Sequence, residues 1–404
     1  MKIKIIIVLL LCVGLHNVSA QTGKYADATH ISLNAAIGRA MNNYPSIRAA
    51  QLDVKSKQAL VRTAYDIGST QITTGGDEIG KGTDGKYTLF SIRQDFDVLN
   101  IGSRKKVRQQ MAAISQSALS LSERELEREV SISYSDAFTA MKQYQLSLRT
   151  DSLYKDFERA ARLRYDTQAT SKLEYLSAQS QARQSEINSE NARRDYVIAL
   201  QNLNHWFASD TIFTVEDTDI VNSEIAVGEA STVKVNHPLL QMSQQQVSLA
   251  EAEYRLQKSA FMPKLFAEYG SQKIGSVSGY YSYQVGISVP LVFGAQSARV
   301  KSARIDGEIA RENYRQRQSE VNNAYRILRD EYLKWESTCR YYSQTAVPVA
   351  REQQAGAMKA YREGAADYLS FIQNTRDALQ IESDYLKAFD SMLDAKYKLE
   401  FFNK

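Results

Sequence analysis

Side chains that could bind a metal ion or act as nucleophiles are few and scattered in this sequence. Beyond Ala20 the histidines are His30, His205 and His237, and none of them has the i, i+4 spacing of a helical metal site. Cys339 is the only cysteine in the same part of the chain, so it has no intrachain partner. The sequence contains no nucleophile elbow, phosphate loop or zinc motif. We therefore expect no catalytic residue, no metal site and no cofactor.

Acidic and basic side chains are interspersed along the chain. Close acidic pairs such as Glu123 with Glu125 and Asp330 with Glu331 fit the solvated face of a helix. The formal net charge of +4 over 404 residues is small, which argues against a dedicated nucleic-acid binder. We therefore expect no nucleic-acid partner, and an enzyme is a weak hypothesis for this chain.

The first residues have the pattern of an exported protein. Lys2 and Lys4 precede an apolar run, and the small-x-small segment Val18–Ala20 follows it. This pattern predicts a secretory signal peptide at residues 1–20. The apolar run is shorter than the roughly 20 residues that a membrane-spanning helix needs. Because no longer apolar helix follows, a membrane crossing would have to use strands.

Long helices are the elements that must position every other feature. From Ser103 to Val227 the sequence has neither Gly nor Pro and is rich in good helix formers. Apolar residues at heptad-type spacing predict a seam for a neighbouring helix: Val107, Met111, Ile114, Ala118, Leu121, then Val130, Tyr134, Ala137, Met141, Tyr144 and Leu148. The polar stretch Asp166–Ser171 predicts a turn, and Ser171 with Glu174 matches a capping box. Residues 103–207 are therefore predicted to form a long helical hairpin.

Two glycine-rich stretches are typical of β-hairpins. The first hairpin is predicted at residues 66–97, around the turn from Gly80 to Gly85. The second is predicted at residues 263–293, with a turn from Gly275 to Gly279. Its second strand alternates cleanly between two faces. One face carries Tyr281, Tyr283, Val285, Ile287 and Val289, and the other carries Ser282, Gln284, Gly286 and Ser288.

The chain carries the same series of elements twice. Asn43-Tyr44-Pro45 recurs as Asn236-His237-Pro238, at an offset of 238 − 45 = 193. The helical turn that begins at Tyr165 recurs at Tyr361, at an offset of 361 − 165 = 196. We therefore predict a first repeat at residues 21–207, a connector at 208–235 and a second repeat at 236–404. The helical hairpin of the second repeat is predicted at residues 296–404.

The alternating strand from Tyr281 to Val289 allows two interpretations. A half-buried strand in a soluble sandwich is the commoner one. The other is a lipid-facing strand, since roughly ten alternating residues flanked by tyrosines suit an outer membrane. We favour the second, because no helices of suitable shape remain to cover an ordinary sheet. One hairpin per repeat gives only about four strands, and lipid tolerates no open sheet edge, so several chains must pool their strands.

With these elements in place, the chain resembles the TolC family of outer membrane efflux ducts over essentially all of its mature length. The resemblance is carried by the segment from Leu33 to Pro45, the strand-to-helix passages at Gly102 and Gly294, and Tyr361-x-x-Gly364 followed by Leu369 and Ile372. It implies a mainly α fold with β, in which duplicated helix, β-hairpin and helical-hairpin units build an α-helical barrel and a transmembrane β-barrel shared between protomers.

The resemblance also implies a location and partners. The protein would be a homotrimer in the outer membrane of a Gram-negative bacterium, in contact with outer membrane lipid and extending into the periplasm. It would act as the passive exit duct of a tripartite efflux or secretion system. Its partners would be a periplasmic adaptor protein and an inner-membrane efflux pump. The lipid-facing strand would be the one that carries Tyr281 to Val289.

The resemblance further implies sites at the helical tips. The adaptor-docking positions read Thr167, Gln168, Ala169, Glu363, Gly364 and Ala365, so the family's Val-Gly-Leu-type motif keeps only one glycine. Some members close the periplasmic entrance with acidic residues after the second tip. The matching positions Ser370 and Gln373 are neutral here, and Asp367 is the nearest carboxylate. A mild polar constriction is the hypothesis for these three residues, and plain solvent exposure is the alternative.

Two other protein classes compete with a duct. A structural coiled-coil protein without a pore would explain the heptads but not the two glycine-rich hairpins. A periplasmic adaptor would carry one long helical hairpin flanked by small β-domains, whereas this chain predicts two in tandem.

Overall fold

The fold is seen in a computed structural model, which describes residues 29–78, 86–216, 237–289 and 294–403. The predicted signal peptide, the turn from Gly80 to Gly85 and residues 217–235 of the predicted connector lie outside the described residues. The elements in chain order are β1 (Thr29–Ile31), α1 (Leu33–Asn43), α2 (Pro45–Leu60), β2 (Thr70–Glu78), β3 (Lys86–Phe96), α3 (Ile101–Asp166), α4 (Lys172–His205), β4 (Phe213–Val215), α5 (Pro238–Ser259), β5 (Lys264–Ile274), β6 (Val277–Ser288), α6 (Gly294–Tyr341), α7 (Val347–Arg362) and α8 (Tyr368–Asn403).

The chain forms two compact units. Unit 1 comprises Met1–Pro45, Glu123–Val233 and Asn323–Lys404, and unit 2 comprises Ser46–Ser122 and Lys234–Asn322. Each unit therefore combines segments from both predicted repeats. The repeat boundaries stay a prediction from sequence, because the two compact units do not begin and end at those boundaries.

The order of elements nevertheless recurs along the chain. A helix, a β-hairpin, a long helix and a returning helix follow one another from α2 to α4 and again from α5 to α8. The two long arms differ in one respect. The first arm, α3, is continuous, whereas a π-helical turn at Tyr342–Ala346 separates α6 from α7. Pro348 follows this turn and has no amide hydrogen to continue the α-helical ladder.

Local capping explains where the first helices begin. The Ser32 hydroxyl accepts a hydrogen bond from the amide of Ala35 and so caps α1. Pro45 begins α2 one residue after the end of α1, because the first position of a helix does not need an amide hydrogen. Unit 1 also holds a small parallel sheet of β1 and β4 that the sequence did not predict. The buried Tyr134 hydroxyl joins these strands, since it donates to the Ile31 carbonyl (3.0 Å) and accepts from the Glu216 amide (3.2 Å).

The predicted β-hairpins are both present and form one sheet in unit 2. Its strand order is β2-β3-β5-β6, and every neighbouring pair is antiparallel. The central contact joins β3 of the first hairpin to β5 of the second. The outer strands β2 and β6 therefore form the two edges of this sheet.

Candidate functional site: an exposed sheet and two helical tips

One face of the four-stranded sheet exposes apolar side chains on every strand. In register across the sheet, Ile72 lies opposite Ile92, Ile92 opposite Tyr269, and Tyr269 opposite Tyr283. Their exposed fractions range from 40% for Ile92 to 86% for Tyr283. The remaining residues predicted to face lipid are exposed as well: Tyr281, Val285, Ile287 and Val289. The structure thus places the predicted lipid-facing residues on one broad apolar surface.

The opposite face of the same sheet is polar. Gln71, Arg93, Glu268 and Gln284 lie opposite one another in register across the four strands. The Arg93 guanidinium pairs with Asp95 (3.2 Å). The two faces therefore differ in chemistry along the full width of the sheet.

An aromatic ring covers a glycine on this polar face. The Arg93 guanidinium carbon lies 3.9 Å from the centre of the Phe266 ring. Phe266 also lies opposite Gly286, and a Cβ atom at position 286 would approach ring carbons of Phe266 to 2.5 Å. Only glycine leaves room for the ring in this position.

The two helical tips have the same backbone geometry. Gln168 in the first tip and Gly364 in the second have positive φ angles of 59° and 73°. In each tip the next residue closes the turn, because the Ala169 amide donates to the Arg164 carbonyl (2.7 Å) and the Ala365 amide to the Ala360 carbonyl (2.8 Å). All six residues predicted to dock the adaptor are exposed here.

Side-chain caps begin the helix after each tip, which confirms the cap predicted at Ser171. The Ser171 hydroxyl accepts from the Glu174 amide (3.2 Å), and the Asp367 carboxylate accepts from the Ser370 amide (2.7 Å). Hydrogen bonding from Ser370 lowers the pKa of Asp367. The second half of the predicted capping box is different. The Glu174 carboxylate accepts hydrogen bonds from the hydroxyls of Thr170 and Tyr361.

A buried aromatic core joins the two tips inside unit 1. Tyr361 is fully buried, and its ring centre lies 5.1 Å from those of both Phe157 and Phe371. The Tyr361 hydroxyl donates to Glu174 at 2.6 Å, and Arg164 lies over the Tyr361 ring at 4.8 Å. Burial, and then the hydrogen bond to Glu174, raise the pKa of Tyr361. We did not identify this core from the sequence, because Phe157 lies outside the heptad positions of the α3 seam.

The three residues predicted to constrict the entrance lie at the start of α8, with Asp367 just before its first residue. Asp367, Ser370 and Gln373 are all exposed, and Asp367 and Ser370 are joined by the cap described above. Among the described residues, no hydrogen bond joins Gln373 to the other two. Their exposure fits either hypothesis, so the constriction stays a prediction.

A second group of acidic side chains lies between α3 and α8. Desolvation, followed by the charges of Asp390 and Asp394, raises the pKa of Asp136 to about 6. Thr139 donates a hydrogen bond to Asp390 (2.7 Å), and Lys398 pairs with Asp394 (2.6 Å). Asp136 therefore keeps its proton to a higher pH than an ordinary aspartate, and Lys398 balances the charge of Asp394.

Side chains that could carry chemistry stay apart in the folded chain. Within residues 29–78, 86–216, 237–289 and 294–403, no three His, Cys, Asp or Glu side chains are grouped to hold a metal ion. His205 packs against the rings of Trp206 and Tyr44. His237 caps α5 by accepting from the Leu239 amide. In the part of the chain that is described, no helix combines the length and apolarity needed to cross a membrane.

Comparison with known proteins relates this architecture to channels. The family model of the outer membrane efflux protein matches residues 230–401. Three solved structures are similar. CusC has a TM-score of 0.79 and 16% sequence identity, with 93% of both chains covered. CmeC of Campylobacter jejuni has a TM-score of 0.76 and 11% identity, with 92% of this chain and 86% of CmeC covered, and VceC of Vibrio cholerae has a TM-score of 0.73 and 13% identity, with 91% of this chain and 94% of VceC covered.

All three of these structures are of membrane proteins. CmeC is an outer membrane channel, VceC is an outer membrane protein, and CusC forms a transmembrane channel. No curated protein sequence matches this chain. Residues 230–401 thus match the model of the outer membrane efflux protein family, and nearly the whole chain has the fold of solved outer membrane channels.

Proposed function

We propose that this protein is the outer membrane duct of a tripartite efflux or secretion system, located in the outer membrane of a Gram-negative bacterium and extending into the periplasm. The sheet of unit 2 carries the proposal. Its row from Ile72 to Tyr283 is apolar and exposed, while its opposite face is polar. An exposed apolar surface of this breadth is unfavourable in water, whereas lipid solvates it.

The edges of this sheet supply the reason for assembly. The strands β2 and β6 lie at opposite edges and run antiparallel to each other, so β6 of one copy can pair with β2 of the next. Such head-to-tail pairing closes into a ring and leaves no unpaired edge in lipid. Three copies would supply 3 × 4 = 12 strands. The polar face, with Arg93 and Glu268, would then line a water-filled lumen.

The helical tips would dock a periplasmic adaptor protein, which connects the duct to an inner-membrane pump. Support comes from the exposed tip residues and from two exposed leucines beside them. Leu173 and Leu369 occupy equivalent places after the two caps, at an offset of 369 − 173 = 196, and are 74% and 69% exposed. A duct of this kind is passive and performs no chemistry, so the pump would select the exported substrate.

Cysteine cross-linking between sheet edges tests the proposal. In a Cys339→Ala background, a cysteine would replace Thr70, Ile72 or Thr74 on β2, combined with one at Tyr281, Tyr283 or Val285 on β6. All six positions lie on the apolar face. Oxidation of intact outer membranes is expected to give a covalent trimer for at least one combination.

The matched controls carry a cysteine on one edge only. These variants are expected to stay monomeric under denaturing conditions, because head-to-tail pairing never brings two copies of the same edge together. Release of the wild-type chain as a soluble monomer by osmotic shock, with no cross-link for any pair, would contradict the duct and favour an adaptor-like or structural coiled-coil protein.

A further inference from the structure

A polar cavity lies among α3, α4 and α8, entirely inside unit 1. Its volume is about 480 Å³, within the range of roughly 300–1,000 Å³ that small-molecule sites occupy. Leu146 and Leu379 are its only aliphatic lining residues among those described. The polar residues that the three helices contribute are mainly amides and hydroxyls.

The lining residues occupy positions that normally pack helices together. Gln143, Ser147 and Thr150 on α3 are spaced by four and three, and so are Gln181, Ser185 and Asn188 on α4. Arg376, Gln380 and Ser383 on α8 follow the same spacing. Such positions are apolar when helices bury them against one another. Polar side chains here leave a space that packing does not fill.

The charge of the cavity has one sign. Arg376 is its only charged lining residue among those described, and no described acidic side chain lines it. Arg376 also forms no ion pair with any described residue, whereas many other arginines of the chain are paired. A guanidinium with five donors is therefore available to an oxyanion.

A buried hydroxyl in the same cavity lacks a partner. Ser185 is 4% exposed, and its Oγ atom makes no hydrogen bond within the described part of the chain. Buried hydroxyls are nearly always hydrogen-bonded, because an unsatisfied one costs about 1–3 kcal/mol. The neighbouring Gln184 side chain donates its amide hydrogen bond to Asn188 (3.0 Å) and not to Ser185. Ser185 thus marks a donor that a ligand would satisfy.

We propose that this cavity binds an oxyanion, which is a phosphate or the carboxylate or phosphate group of a small organic solute. Arg376 supplies the countercharge, and the Ser185 hydroxyl donates a hydrogen bond. The cavity lies within one protomer, so binding does not depend on a pore.

Calorimetric titration of the purified, assembled full-length protein in detergent tests this site. Inorganic phosphate is the first probe and succinate the second, each in a buffer without oxyanions. We expect saturable binding in the wild type. The Arg376→Gln variant is expected to bind at least about tenfold more weakly, and Ser185→Ala about three- to tenfold more weakly, because a charge-assisted bond outweighs a neutral one. Competition between the probes decides whether both anions use one site.

Arg194→Gln is the matched control, since it removes the same charge from α4 at a position 69% exposed and paired with Glu190. Its affinity should equal that of the wild type. Both arginine variants should keep the wild-type melting temperature, whereas Ser185→Ala should raise it, because the substitution removes an unsatisfied buried hydroxyl. Equal losses in Arg194→Gln and Arg376→Gln would overturn the proposal in favour of general surface charge. Absence of saturable binding to the wild type would also overturn it, and would leave the duct proposal untouched.

Discussion

Backbone strain at the tips depends on one residue in each tip, at which φ is positive. Gly364 adopts its positive φ without penalty, because glycine has no Cβ atom. Gln168 holds the equivalent conformation with a full side chain, which costs about 1–2 kcal/mol in the left-handed region. The first tip therefore stores strain that the second lacks.

Exchanging glycine at these positions should change stability in opposite directions. Gln168→Gly is expected to raise the free energy of unfolding by about 1 kcal/mol, and Gly364→Ala to lower it by about 1 kcal/mol. A Cβ atom at Gly364 would meet no neighbour within 4 Å, so the loss would report the backbone alone. Gly356→Ala inside α7 is the control and should be stabilising. Thermal unfolding followed by circular dichroism measures all three.

The raised pKa of Asp136 predicts a pH dependence of stability. Because the folded chain binds this proton more tightly than the unfolded chain, its ionisation destabilises the fold as pH rises from about 4 to about 6. Asp136→Asn should therefore raise the melting temperature at pH 7 and leave it nearly unchanged at pH 4. Asp384→Asn, on the exposed surface of α8, is the control. An equal gain at both pH values would contradict the prediction.

At the scale of single residues, hydrogen bonds between neighbours in sequence could be predicted. Ser171 was recognised as a cap because a cap needs only its own side chain and an amide three residues later. The bond from Tyr361 to Glu174 was not, since its partners are 361 − 174 = 187 residues apart. The same holds for Arg376 and Ser185, which the fold brings to one cavity.

At the scale of elements, the packing of the sheet depends on Gly286, over which the Phe266 ring lies. Gly286→Val should displace Phe266 and lower the melting temperature of the assembled protein, because the new side chain would overlap the ring. Gly75→Val on β2 is the control, since a Cβ atom there meets nothing within 4 Å. Melting of both variants in detergent, compared with the wild type, tests the prediction. Similar losses in the two variants would show that valine in a strand, and not the ring, is responsible.

Long elements were predictable and short ones were not. The absence of Gly and Pro and a sustained heptad seam indicated α3 and α4, and strict alternation indicated β6. The strands β1 and β4 have three residues each, too few for alternation to be visible. They exist because the Tyr134 hydroxyl and a parallel ladder join them.

At the scale of the whole molecule, the exposed leucines beside the tips predict an export phenotype. Under the proposed function, Leu369→Ser should abolish co-purification with the proposed adaptor and sensitise cells to exported compounds, because an apolar anchor would be lost. The amount of trimer in the outer membrane should stay unchanged. Ile309→Ser, which changes an exposed apolar residue of α6, is the control and should export normally. Loss of the trimer in Leu369→Ser would point to folding instead of docking.

The duplication predicted the order of elements but not how they group. Ile92 and Tyr269 are 269 − 92 = 177 residues apart, yet they lie opposite each other in one sheet. Because such pairing joins strands from the two repeats, each compact unit contains segments of both repeats and does not coincide with one half of the sequence. The periodicity of a sequence indicates which faces of a helix or strand are apolar. It does not indicate which distant strand pairs with that element.

The π-helical turn at Tyr342–Ala346 resembles the insertion of one residue into a continuous α-helix. A bond from residue i to i+5 encloses one residue more than an α-helical bond, so an extra residue there need not rotate the helix beyond it. Deleting Gln344 should therefore give an uninterrupted helix and leave Tyr361 buried in the tip core. Deleting Leu148 from α3, at the matching offset of 344 − 148 = 196, should turn Phe157 away by about 100° and unfold the tip. Comparing the melting temperatures of the two deletions would show that only the second arm tolerates a change of length.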